Sequence, residues 1–188
     1  MDYNNKIKDY LDKEIEVIKS LDVVAIDRIM NEIIASKERG STIYICGNGG
    51  SAATASHYCC DFNKGVSGLD SKNTNFVCLS DNVPTMMAIA NDISYDDIFS
   101  YQLSNRLKDG DVVFVISGSG NSKNVVKAME VAKAKGNTII GLCGYRGGKV
   151  KEMADICLHV DIDNMQITED IHMILDHCMM FILAGYEY

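Results

Sequence analysis

Apolar residues recur at helical spacing near the start of the chain and then give way to short continuous apolar runs. Ile7, Tyr10, Leu11, Ile15, Ile18 and Leu21, then Ile26, Ile29, Met30, Ile33 and Ile34, fall mostly three or four residues apart, as on one face of a helix. Asp22 or Asp27 marks the break between two such helices. Further on, the runs 42–46, 75–79, 111–116, 137–142 and 155–160 predict strands, and the stretches 51–62, 83–91, 122–135 and 147–153 predict the helices between them. A last helix is expected from about Thr168 to Ala184. The strand runs are apolar throughout, as in a sheet covered on both faces. Alternating strands and helices with short connections predict an α/β fold built on a parallel, doubly wound sheet with right-handed crossovers.

No linker or low-complexity stretch interrupts this pattern, so residues 1–188 read as one domain, with 1–37 as an N-terminal pair of helices. The first helices and the Met- and Ile-rich last one carry much apolar surface. Either packing between subunits or burial in the monomer's own core accounts for it.

Composition narrows the class. A chain of 188 residues, 47% apolar and 23% charged, is large enough to bury a core without staples. Its apolar runs are too short to cross a bilayer and none follows a basic N-terminus, so a cytoplasmic protein with no membrane partner is expected. The seven cysteines are odd in number and include no Cys-x-x-Cys pair, which points to reduced thiols. A net charge of −8 argues against nucleic acid as a partner, because that surface needs clustered Lys and Arg. An anionic ligand must instead be held locally by N–H groups, hydroxyls and helix dipoles.

Two loops offer that chemistry. Strand 42–46 runs into Gly47-Asn48-Gly49-Gly50-Ser51, and strand 111–116 into Ser117-Gly118-Ser119-Gly120-Asn121-Ser122. Glycine permits positive φ and close approach of a ligand to the backbone. Ser51 and Ser122 fall where helices are expected to begin, which makes them candidate N-caps and brings the positive dipole ends to the same place. The first loop alone fits an ordinary capped turn as well as an anion site. The second, with three interleaved hydroxyls after a buried parallel strand, favours phosphate.

Titratable groups cluster on two predicted helices. His57 and Asp61 are four residues apart on one face. Glu169 and His177 are eight apart on the last helix, within roughly 80° of one another around it. An acid and an imidazole near a phosphosugar can move protons between carbon atoms, and His57, Asp61, Glu169 and His177 could equally bind a divalent metal. Capped carbonyls or a subunit contact would also explain helical histidines.

The stretch Cys46-Gly47-Asn48-Gly49-Gly50-Ser51-Ala52-Ala53, the 117–122 loop, and the helix from Glu169-Asp170-Ile171-His172 to His177 together resemble sugar isomerase (SIS) domains, and among them the phosphoheptose isomerases. The resemblance implies a three-layer α-β-α sandwich on a five-stranded parallel sheet, flavodoxin-like, with terminal helices packing in a homotetramer. It implies isomerisation of sedoheptulose 7-phosphate to D-glycero-D-manno-heptose 7-phosphate through an enediol, or of another phosphosugar. A phosphosugar- or partner-binding role without catalysis is the remaining alternative. By the same likeness, Gly49, Gly50, Ser51, Ser117, Ser119 and Ser122 would hold the phosphate, and Asn48 and Asp81 would contact the sugar. His177 would be one proton-transfer residue and Asp61 or Glu169 the other. Zinc is the implied metal, with no organic cofactor. Two positions depart from the family pattern: Asp61 stands where a glutamate is usual, and Glu169 where a glutamine is usual.

Overall fold

The computed structural model describes residues 2–67 and 72–187. The N-terminal pair is α1 (Asn4–Lys19) and α2 (Val23–Arg39). They part at Asp22, whose carboxylate accepts from the Val24 and Ala25 N–H groups at 3.0 and 3.1 Å, an N-cap satisfying donors that the helix itself leaves orphaned. α2 ends at Gly40 in the left-handed region, φ 68°, a conformation that costs glycine little.

Five strands follow: β1 (Ile43–Cys46), β2 (Phe76–Cys78), β3 (Val112–Ser117), β4 (Thr138–Cys143) and β5 (Ile156–His159). All pairings are parallel, in the order β2-β1-β3-β4-β5. Between them lie α3 (Gly50–Asp61), α4 (Val83–Asp92), α5 (Ser100–Arg106), α6 (Lys123–Lys135) and α7 (Gly148–Met153), and α8 (Met165–Leu183) closes the chain.

Alternate strand residues feed two cores, one on each face of the sheet. Ile43, Ile45 and Phe114 pack with Ile29, Tyr58 and Leu175 on one side. Tyr44, Val113 and Val115 pack with Leu103, Met129 and Val150 on the other. This is the three-layer α-β-α sandwich. α1 is tied to α8 by a hydrogen bond from the Tyr10 hydroxyl to Asp170, yet Ile7, Leu11 and Ile15 remain about half exposed on its other face.

Two elements differ from expectation. α5 was not foreseen, because its short polar run Ser100–Arg106 carries only Tyr101 and Leu103 as apolar residues. α8 starts three residues before Thr168, because the Asn164 side chain accepts from the Ile167 N–H at 3.1 Å and caps it there. No helix among the described residues is long and apolar enough to cross a membrane.

The chain runs from β1 out to β2 and then returns to β3 on the opposite side of β1. Connections leaving adjacent strands in opposite directions open a crevice at the carboxyl ends, the usual ligand edge of such sheets. Both glycine-rich loops leave the sheet there.

Candidate active site

The serine loop after β3 is held by its own backbone. The Gly120 N–H donates to the Ser117 carbonyl, while the Gly118 and Gly120 carbonyls accept from the Gly144 and Val150 N–H groups, all at 2.9–3.0 Å. Gly120 has φ 66°, and a Cβ there would collide with the Gly147 carbonyl. Only glycine fits. The Ser117 hydroxyl donates to that of Ser122 at 3.3 Å. Ser122 occupies the N-cap position of α6 without making a side-chain cap bond.

Ser51 corrects the sequence reading. Gly49, at φ 54°, is the N-cap of α3, and Ser51 lies buried within the first helical turn. Ser51, Ser117, Ser119, Ser122, Met165 and Glu169 line one cavity of about 170 Å³, with the α3 N-terminus facing it. The Glu169 carboxylate lies so close to Gly50 that a Cβ on Gly50 would overlap it.

Asn48 also borders this cavity. Its amide exchanges two hydrogen bonds with the Asn124 amide, at 2.9 and 2.8 Å, and its oxygen accepts from the Tyr95 hydroxyl at 2.9 Å. Asn48 therefore ties the first loop to α6. Neither Asn124 nor Tyr95 was singled out from sequence, since an amide inside a helix and an exposed tyrosine carry no distinctive spacing. Asp81 is exposed in the turn after β2 and lines neither this cavity nor the apolar one of about 310 Å³ beside Asn48.

α3 and α8 pack side by side, linked by the Tyr58 hydroxyl donating to the His172 carbonyl at 3.3 Å. Ser51 and Glu169 share one level of this pair, and His57 and His177 meet at another. At 1.5 Å rise per residue the levels are about 9 Å apart along α3 and about 12 Å along α8.

At the second level four side chains converge. His57 Nε2 lies 3.1 Å from His177 Nε2, 3.5 Å from Asp61 Oδ2 and 3.7 Å from Asp176 Oδ2. One donor atom from each of the four lies within 4.8 Å of all the others. Of the metal set expected from sequence, His57, Asp61 and His177 lie in this cluster together with Asp176, while Glu169 lies two turns away at the serine cavity. Asp176 is fully buried with both oxygens lacking a hydrogen-bond partner. Burial and the neighbouring Asp61 carboxylate push its pKa up to about 8. One turn earlier His172 is also buried, beside the Cys143 backbone, and burial pushes its pKa down to about 4, so its ring stays neutral.

The cluster fits zinc. Bonds of about 2.0–2.2 Å in a tetrahedron separate ligand atoms by about 3.4 Å, and the three separations from His57 bracket that value. Two imidazoles and two carboxylates are suitable donors.

Comparison with known proteins agrees with this architecture. The sequence pattern of the SIS domain family matches residues 2–144. Over 155 residues the chain is 37% identical to the phosphoheptose isomerase of Rhodospirillum rubrum, covering 82% of each. The solved phosphoheptose isomerase of Neisseria gonorrhoeae superposes with a TM-score of 0.88 at 27% identity, covering 97% of this chain and 98% of that one. The corresponding enzyme of Francisella tularensis gives 0.86 at 28% identity over the same shares. With its switch-point loops and its paired helices, the chain belongs to the SIS-domain family, in the branch of the phosphoheptose isomerases.

Proposed function

We propose that the protein interconverts sedoheptulose 7-phosphate and D-glycero-D-manno-heptose 7-phosphate through an enediol. The observation that supports this reading is that α3 and α8 carry both a hydroxyl-lined cavity, at Ser51 and Glu169, and a titratable cluster, at His57 and His177, about 9–12 Å apart by helix rise. An extended heptose phosphate, anchored at the serine loop, brings its carbonyl end to the level of His57, Asp61 and His177.

In this reading Ser51, Ser117, Ser119 and Ser122 donate to the phosphate oxygens, with the Gly49–Gly50 turn and the α3 dipole beside them. Asp61 takes a proton from C1 of the ketose, and protonated His177 gives one to O2, leaving the enediol. His177 then takes the proton from O1, and Asp61 returns its proton to C2. Glu169, at the phosphate end, is too far along α8 to serve C1 and faces sugar hydroxyls. His57, Asp61, Asp176 and His177 would hold a divalent cation, and the Lewis-acid polarisation that it would supply at the carbonyl oxygen would then take the place of protonated His177, since a ligating imidazole nitrogen carries no proton. The exposed Ile7, Leu11 and Ile15 of α1 support assembly as a homotetramer.

The test is direct. Purified protein incubated with sedoheptulose 7-phosphate in D₂O, with and without zinc, is followed by NMR. The expected result is an aldose heptose phosphate carrying deuterium at C2. No product under either condition would reject the substrate assignment.

A further inference from the structure

We propose that Tyr95 and Asn124 are positioning residues that make Asn48 a hydrogen-bond donor, and only a donor, toward an anionic ligand in the serine cavity. An amide side chain has two lone pairs on its oxygen and two protons on its nitrogen. At Asn48 all but one of these are taken. Its Oδ1 accepts from the Tyr95 hydroxyl at 2.9 Å and from Asn124 Nδ2 at 2.8 Å, and its Nδ2 donates to Asn124 Oδ1 at 2.9 Å. One N–H is left over, and Asn48 lines the cavity that holds Ser51, Ser117, Ser119 and Ser122.

The backbone sets the direction of these bonds. The Val125 N–H, in the first turn of α6, donates to Asn124 Oδ1 at 2.9 Å. A backbone N–H cannot accept, so the Asn124 oxygen must face it and the Asn124 nitrogen must donate to Asn48. Turning the Asn48 amide over would set nitrogen against nitrogen and oxygen against oxygen, and would cost both amide bonds. Asn124 is buried, so water does not replace them. Tyr95 is itself exposed, but the helical turn that carries it, Tyr95–Asp97, is tied to α6 by Lys127 Nζ, which donates to both Asp97 carboxylate oxygens at 2.9 Å. Asn124 and Lys127 are three residues apart, on one face of α6. The consequence is a preference among ligands. An amide oxygen turned to the cavity would repel an anion, whereas the fixed N–H attracts one. That this anion is the phosphate of a sugar rests on the phosphosugar reading above.

The test uses inorganic phosphate and the intact protein, without turnover. Calorimetry measures the phosphate dissociation constant through a double-mutant cycle. Asn48→Ala should weaken phosphate about 10-fold or more, the loss of one hydrogen bond to a charged group. Tyr95→Phe removes one oxygen from an exposed side chain and should weaken phosphate about 3-fold or more with Tm held, as for other surface changes. Asn124→Ala should weaken it further than Tyr95→Phe. In the Asn48→Ala background neither change should cost more than about 2-fold, because both act through Asn48. In NMR spectra of the side-chain amides, phosphate should shift one Nδ2 proton of Asn48 and leave the one bonded to Asn124. The assignment is overturned if the parent binds no phosphate, if Tyr95→Phe leaves the affinity unchanged, or if Tyr95→Phe costs as much in the Asn48→Ala background as in the parent. Failure of the isomerase reading looks different: phosphate binding and its coupling to Asn48 intact, and no aldose phosphate formed from sedoheptulose 7-phosphate.

Discussion

The two ends of the α3–α8 pair are built by different means. The serine end is made of consecutive residues, Ser117 to Ser122, bent by backbone hydrogen bonds and by a glycine that no other residue can replace. The histidine end is made of single side chains from two helices, its partners His57 and His177 standing 120 positions apart in the sequence. A loop carries its chemistry in its own sequence. A helix pair carries it only once packing has turned particular faces together.

That contrast orders the expected effects of mutation. Asp61→Asn and His177→Ala should each cut kcat about 10³-fold while KM changes less than about 3-fold, since they remove proton transfer and leave the cradle intact. A matching rise in KM would mean that the two ends are not separable.

Behind the histidine end, His172 sets a pH limit on stability. Its pKa in the folded protein is about 4, below the ordinary value of about 6.5, so the unfolded chain takes up a proton first as the pH falls. The stability that neutral His172 confers is complete above pH 6.5 and is lost as pH drops toward 4, by up to about 3 kcal/mol. Urea unfolding across this range should show the slope, and His172→Leu should flatten it.

At the serine end, Ser117→Ala combined with Ser122→Ala should raise KM about 10- to 30-fold with kcat within about 3-fold, as for lost hydrogen bonds to a charged group. The smallest effect separates the two carboxylates that the sequence left open as base. Glu169→Gln should lower KM about 3-fold or less, because a negative charge leaves the phosphate end, with kcat held. A fall in kcat comparable to that of Asp61→Asn would make Glu169 the base instead.

Legibility in the sequence follows the same division. The strands, the switch-point loops and most helices stand in the periodicity, because buried parallel strands are apolar runs bounded by glycine and serine. The cap of α3 was misassigned because Ser51 is the better capping residue by type, whereas positive φ at Gly49 ends the loop sooner. Asp176, one of several titratable residues on the last helix, stayed out of the candidate set because it lies inside an apolar stretch beside His177. Its signal was available: on α8 the buried positions are Ile167, Thr168, Ile171, His172, Leu175, Asp176 and Met179. A carboxylate where the helical period calls for a hydrophobe marks either a partner or a ligand. Which of these it is depends on α3, and no pattern within α8 contains that.

The central claim is that one sugar phosphate spans both ends of the α3–α8 pair. A crystal structure of the protein soaked with sedoheptulose 7-phosphate tests it most directly. Phosphorus should lie within hydrogen-bond reach of Ser117, Ser119 and Ser122, with C1 and C2 beside Asp61 and His177. A phosphate bound away from the serine loop, or a carbonyl carbon beside Glu169 instead of Asp61, would contradict the account.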